Sequence, residues 1–127
     1  MGYIVTNAVA IVVATCAGLA VGVVYAVLQG WRGFSAIVIV VAAVSEFWLA
    51  CILAGALILA PPQAGAWTMA LGSAVIIWIG FVAPTLIVTT QFDGVPLRRG
   101  ILNIAHWLVV MVVQAAVLES LGLIRPA

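Results

Sequence analysis

The chain has 127 residues, of which 68% are hydrophobic and 6% are charged, and its formal net charge is +1. Soluble globular proteins carry about 25% charged residues, so this chain lacks the polar side chains that cover a soluble surface. A near-neutral charge without a basic stripe excludes a nucleic-acid interface, and long apolar runs predict helices that cross a lipid bilayer.

Four such runs predict an all-α fold, an integral membrane bundle of four transmembrane helices with short turns. The predicted helices cover about residues 3–28, 34–59, 66–91 and 97–121 of a single domain, residues 1–127. The first run has no basic region before it and no convincing small-residue cleavage site. We therefore expect a retained helix at this position and not a cleaved signal peptide.

Small residues recur at every fourth position of the first predicted helix. They are Ala10, Ala14, Gly18, Gly22 and Ala26. This spacing places them on one slowly drifting face, where another helix backbone can approach closely. The row predicts either a dimer seam or packing inside the four-helix bundle, and we favour packing inside the bundle.

The second predicted helix carries a glutamate, Glu46, at its centre. A carboxylate in the middle of a bilayer costs roughly 2.5 to 3.5 kcal/mol on insertion scales, and protonation or a partner inside the bundle lowers that cost. We therefore expect Glu46 to face inward. Two interpretations stay open: a group that carries a proton, and a neutral structural acid held by a hydrogen bond.

The third predicted helix contains Pro84, which removes one backbone hydrogen bond and should kink the helix. Trp78, Thr85 and Thr89 share one of its faces at helical spacing. The hydroxyl groups of the threonines can bond carbonyls that the proline leaves free. This face therefore starts a predicted inward polar line.

The fourth predicted helix supplies a second polar line, because Asn103, His106 and Gln114 fall within roughly 80 degrees of one another around its axis. We expect the two lines and the glutamate to form an intramembrane polar network. Its predicted members are Glu46, Thr85, Thr89, Asn103, His106 and Gln114. For His106, the usual role of a membrane histidine is packing, and the alternative is proton transfer.

No pattern in the chain predicts a metal site, a cofactor or catalysis. Cys16 and Cys51 lie inside apolar runs, far from other metal-type ligands, so we expect neither a metal site nor a disulfide. There is no serine and histidine pair with an orienting acid, and no Gly-rich phosphate loop. The prediction is a protein without enzymatic activity.

The arginines predict the orientation in the membrane. Arg32, Arg98 and Arg99 lie in the first and third turns, and Arg125 alone lies on the opposite side. By the positive-inside rule the first and third turns are cytoplasmic, and both termini are periplasmic.

Ten residues carry a resemblance to a known family. They are Trp78, Gly80, Phe81, Pro84, Thr85, Phe92, Pro96, Asn103, His106 and Trp107. Their spacing resembles the signature of a bacterial family of four-helix membrane proteins, domain of unknown function seventeen-sixty-one. Its members usually have a Trp-Tyr-Ser-Pro motif at the end of the first helix, where this chain has Val24-Tyr25-Ala26-Val27. The resemblance implies a four-helix protein of the bacterial inner (plasma) membrane, and no substrate or reaction.

Three functions follow from these features as hypotheses. The first is a non-catalytic packing or accessory module of a homo-oligomer or a larger membrane complex, favoured by short turns and rows of small residues. The second is a small proton-linked carrier that uses Glu46 and the polar line of the fourth helix. The third is a binder of an apolar ligand such as a quinone or lipid, with Trp48, Trp78 and Trp107 as walls. The expected partners are the lipid bilayer and either further copies of this chain or other membrane subunits.

Overall fold

The structure is a computed structural model, and it describes residues 2–125. Its helices are α1 (Gly2–Thr6), α2 (Ala8–Leu28), α3 (Ala36–Leu59), α4 (Ala66–Ile77), α5 (Ala83–Phe92) and α6 (Leu97–Leu121). A 3-10 turn precedes α4, and a π turn joins α4 to α5. The described residues contain no strand, so the predicted all-α fold is confirmed.

Four segments are long and apolar enough to cross a bilayer. They are α2, α3, the continuous helical segment Ala66–Phe92, which comprises α4, the π turn and α5, and α6. Helices satisfy their own backbone hydrogen bonds, which is what a bilayer interior requires of a spanning segment. The chain is a multi-pass membrane protein built as a four-helix bundle.

Local caps and prolines set the helix ends. The Ser35 hydroxyl accepts a hydrogen bond from the Val38 N–H at 3.3 Å, so α3 begins at Ala36, slightly later than predicted. It ends before Pro61, which cannot continue a helix. Asn7 separates α1 from α2, whereas the sequence predicted one continuous helix over residues 3–28.

The third span contains an irregular turn beside Pro84. In the π turn, Trp78–Val82, the Ala83 N–H bonds to the Trp78 carbonyl, five residues back. Proline has no N–H to donate and its ring needs room, and the wider turn just before it provides that room. The irregularity that was predicted at Pro84 therefore takes the form of a π turn on its N-terminal side.

Helix α6 is the centre of the bundle. It contacts α2, α3, α4 and α5, whereas α2 and α4 make no contact with each other within the described residues. Alanines dominate the core between the spans, so the helix backbones approach closely. The buried alanines are Ala10, Ala14, Ala50, Ala54, Ala70, Ala74 and Ala115.

The two halves of α3 differ in packing. All six residues of its first part, 36–41, are exposed, and six consecutive helical residues cover every side of a helix. We call residues 36–41 the exposed segment. The second half instead buries Ala50, Cys51, Leu53, Ala54 and Leu57. The bundle is therefore tightly packed toward the chain termini and loosely packed toward the first and third turns.

Candidate functional site

Glu46 and Gln114 form a buried pair between α3 and α6. Glu46 is 3% exposed and Gln114 is 0% exposed. The Gln114 side-chain amide donates to Glu46 Oε2 at 2.7 Å and to the Glu46 backbone carbonyl at 3.2 Å. One amide group thus holds both the side chain and the main chain of the glutamate, and it fixes the position of α6 relative to α3.

Gly18 on α2 makes room for this pair. A Cβ atom built on Gly18 would collide with Glu46 Oε2 and would lie 2.7 Å from Gln114 Nε2. Only a glycine leaves the carboxyl and the amide in place. Three helices therefore meet at the pair, with the glycine of α2 covering the acid of α3 and the amide of α6.

The complete row of small residues on α2 faces the inside of the bundle. Ala10, Ala14 and Gly18 are buried, and Gly22 and Ala26 are half-buried. The row packs against α3 and α6, the neighbours of α2, and it does not form an outer surface. This arrangement places the row inside the bundle, between α2 and its two neighbours.

Gly22 lies between Glu46 and His106. A Cβ atom built on Gly22 would be 3.9 Å from Glu46 Oε1 and 3.9 Å from His106 Nε2. The two atoms are therefore separated by at most twice that distance. Within residues 2–125, His106 Nε2 is buried and has no hydrogen-bond partner, and the same holds for Gln114 Oε1. A carboxyl and an imidazole thus share one small space beside a glycine.

A tyrosine of α2 extends this cluster along α6. The Tyr25 ring stacks on the His106 imidazole, with ring centroids 4.3 Å apart and planes inclined by 15°. Its hydroxyl donates a hydrogen bond to Asn103 Oδ1. We call Glu46, Gln114, His106, Tyr25 and Asn103 the polar cluster. It contains two proton-carrying groups, a carboxyl and an imidazole, inside the membrane-spanning part of the protein.

Thr85 and Thr89 lie outside the polar cluster, contrary to the predicted network. Both are exposed, and their hydroxyls donate to carbonyls four residues back, those of Phe81 at 2.6 Å and Thr85 at 2.9 Å. The π turn inserts an extra residue into the helical repeat, so α5 is rotated relative to α4. The buried threonine of α5 is instead Thr90.

The ten family-like residues do not form one site. Trp78 is half-buried, and its indole Nε1 donates to the Ile104 carbonyl at 2.9 Å, which ties the third span to α6. Asn103, His106 and Trp107 are half-buried on α6. The remaining six are exposed: Gly80, Phe81, Pro84, Thr85, Phe92 and Pro96.

The predicted tryptophan walls, Trp48, Trp78 and Trp107, do not line the two surface clefts described below. Trp48 is 54% exposed on the outside of α3. Two surface clefts, of about 160 and 260 Å³, lie at opposite ends of the bundle, and no tryptophan lines either of them. The first cleft includes Glu119 and Arg125, and the second lies between α5 and α6.

Two side chains that make long-range hydrogen bonds, Tyr25 and Asn7, were missing from the predicted network. Tyr25 follows Gly22 by three residues and so shares the inward face of α2, a signal that was present in the sequence. Asn7 is 4% exposed, and its side chain both donates to and accepts from Ile124, at 3.0 and 2.7 Å. No local pattern shows that contact, because the two residues are 117 positions apart.

No protein-family model, no curated protein and no solved structure matches this chain. The resemblance in residues 78–107 therefore stays a prediction.

Proposed function

We propose that the protein is a non-catalytic membrane module that assembles laterally with another membrane-spanning polypeptide, a second copy or a different subunit. The exposed segment of α3 supports this proposal. Ile37, Ile39, Val40 and Val41 are each more than half exposed, so this part of the span packs on no side against its own bundle.

The composition of the segment suits contact with another helix. In lipid, helices associate mainly through van der Waals packing, interhelical hydrogen bonds and small residues that allow close approach. The segment is followed by Ala42 and Ala43, and its branched side chains have few rotamers to lose on packing. In this proposal the hydrogen-bonded Glu46–Gln114 pair stabilises the module itself, because it joins α3 to α6.

Site-specific photo-crosslinking tests the proposal in native membranes. A benzoyl-phenylalanine at Val40 should give a discrete polypeptide adduct, because a partner helix covers this position. The matched control is Ile76 of α4, which is also an exposed apolar residue in a membrane span and should label lipid only. Equal labelling at both positions would contradict the proposal, and an adduct of twice the chain mass would identify a second copy.

The second candidate function is a small proton-linked carrier. The observation that favours it is the approach of Glu46 Oε1 and His106 Nε2 to the same point beside Gly22. Such a pair can accept and release a proton inside the bundle. Proteoliposomes with a pH-sensitive dye inside test it: proton movement driven by an imposed pH gradient should disappear in Glu46→Gln, provided that this variant keeps the folded state of the parent.

The proposed location is the bacterial inner membrane, with both termini periplasmic. Arg32, Arg98 and Arg99 are all exposed at the end of the bundle that carries the first and third turns, and basic residues favour the cytoplasmic side. In intact spheroplasts, a membrane-impermeant maleimide should label a Gln63→Cys variant and leave an Asp93→Cys variant unlabelled. The opposite pattern would reverse the orientation.

A further inference from the structure

We infer that the cleft lined by Glu119 and Arg125 binds a phospholipid headgroup that carries both a phosphate and a primary ammonium group, a phosphoethanolamine group. The cleft has a volume of about 160 Å³ and lies at the end of the bundle that carries the chain termini. We call it the terminal cleft. The inference is independent of lateral assembly and of the proton-linked candidate function.

The terminal cleft lies where the membrane spans end. Its walls come from the last residues of α3, the turn after it, the first residues of α4, the last turn of α6 and the segment after α6. Trp67, in the first turn of α4, is 52% exposed, and exposed tryptophans of membrane proteins collect at the level of the headgroups. The terminal cleft is therefore open to the headgroup layer of the bilayer.

Two side chains of opposite charge line the terminal cleft. Glu119 is half-buried in the last turn of α6, and Arg125 is exposed in the segment that follows this helix. A carboxylate accepts hydrogen bonds from an ammonium group, and a guanidinium binds a phosphate through two parallel hydrogen bonds. A phosphoethanolamine group carries both partners, whereas a phosphate ion alone would leave the carboxylate without a cation.

The chain segment that carries the arginine is held in place. The Asn7 side chain donates to the Ile124 carbonyl at 3.0 Å and accepts from the Ile124 N–H at 2.7 Å. Ile124 directly precedes Arg125, so these two bonds fix the backbone from which the guanidinium reaches the cleft. The contact between the two ends of the chain thus positions one wall of the terminal cleft.

The other walls suit the rest of a phospholipid. Leu57 and Met69 are apolar and form part of the lining, so the glycerol and the first acyl carbons can pack against them. Helix α4 begins at Ala66 without a side-chain cap, and its first backbone N–H groups have no acceptor within the helix. These N–H groups supplement the Arg125 guanidinium as donors to the phosphate.

Glu119 should make the terminal cleft selective among phospholipids. A primary ammonium group has N–H groups to donate to the carboxylate. The trimethylated ammonium of phosphatidylcholine keeps the charge but has no N–H, and the glycerol headgroup of phosphatidylglycerol has no cation. The expected order of affinity is therefore phosphatidylethanolamine, then phosphatidylcholine, then phosphatidylglycerol.

Native mass spectrometry of the full chain tests this order. The protein is released from nanodiscs that contain the three lipids in equal amounts with identical acyl chains, and the retained lipids are counted. We expect about two- to fivefold more retained phosphatidylethanolamine than phosphatidylcholine, the size of effect that an exposed ion pair gives. Glu119→Gln should bring the two lipids to parity, because a neutral amide no longer attracts the ammonium group.

A second variant and a control locate the site. Arg125→Gln should lower the retention of both lipids and leave their ratio unchanged, because both carry the phosphate. Arg98→Gln removes an exposed arginine at the opposite end of the bundle and should behave like the parent.

Several results would overturn the inference. The first is a parent protein that retains phosphatidylethanolamine and phosphatidylcholine equally, or retains no lipid. The second is a preference that survives Glu119→Gln or is lost in Arg98→Gln, because the lipid would then bind elsewhere. The third is highest retention of phosphatidylglycerol, which would show selection for negative charge alone.

Discussion

At the scale of single residues, Glu46 is held by the side-chain amide of Gln114. Gly18 has no side chain, so α2 packs closely against this glutamate. An acid in the bilayer needs a donor on its oxygens and close packing around it, because lipid offers neither hydrogen bonds nor charge. The Gln114 amide donates one hydrogen bond to the Glu46 carboxyl and one to the Glu46 backbone carbonyl, and Gly18 lets α2 pack closely over the pair. The pair therefore lowers the cost of placing the Glu46 carboxyl in the membrane, and it joins α3 to α6.

Removing the donor should destabilise the bundle. Gln114→Leu keeps a similar volume but leaves the buried Glu46 carboxyl without its hydrogen bond, and an unsatisfied buried polar group costs about 1–3 kcal/mol. Glu46→Gln is the matched variant, since an amide oxygen can still accept from Gln114. Thermal unfolding in mild detergent should show a loss for Gln114→Leu and little change for Glu46→Gln; equal stability of Gln114→Leu and the parent would contradict the role of this contact.

The two glycines of α2 should respond differently to the same substitution. Gly18→Ala places a methyl group against Glu46 and Gln114 and should cost about 1–3 kcal/mol through overpacking. Gly22→Ala meets only ordinary contacts, and alanine is the better helix former, so this variant should be neutral or slightly more stable. Unfolding of both variants in the same detergent checks the difference, and a Gly22→Ala variant that is the less stable of the two would disprove this geometry.

At the scale of the helices, the sequence predicted what local chemistry decides. The starts of α3 and α6 follow from Ser35 and Pro96, which act on their own neighbouring residues. The placement of Thr85 and Thr89 was not predictable from helical spacing, because it depends on a π turn that rotates α5. The stacking of Tyr25 on His106 depends on how α2 packs against α6. The sequence of either helix by itself does not predict that packing.

The link between the two ends of the chain is a further contact of this kind. Asn7, at the junction of α1 and α2, holds the segment after α6 through two hydrogen bonds to Ile124. Asn7→Ala should release that segment, and the Ile124 amide should then exchange with deuterium much faster. Thr6→Ala is the control, since within residues 2–125 the Thr6 hydroxyl bonds only to the Gly2 carbonyl of its own helix. Unchanged exchange in Asn7→Ala would show that other contacts hold the segment.

At the scale of the whole molecule, the bundle is uneven along its length. The core near the termini joins α2, α3 and α6 through alanines and leucines, whereas the exposed segment of α3 stands apart at the other end. The exposed segment of α3 leaves a surface for the proposed partner helix at the end of the bundle that carries the first and third turns.

The mass of the particle extracted from native membranes tests the proposed assembly most directly. Extraction into native nanodiscs, without detergent, preserves lateral contacts between spans, and intact-particle mass spectrometry then counts the chains. We predict a particle in which this chain is accompanied, in fixed stoichiometry, by a second copy or another membrane-spanning polypeptide. A particle that contains one copy of this chain and lipid alone, in every preparation, would contradict the proposal.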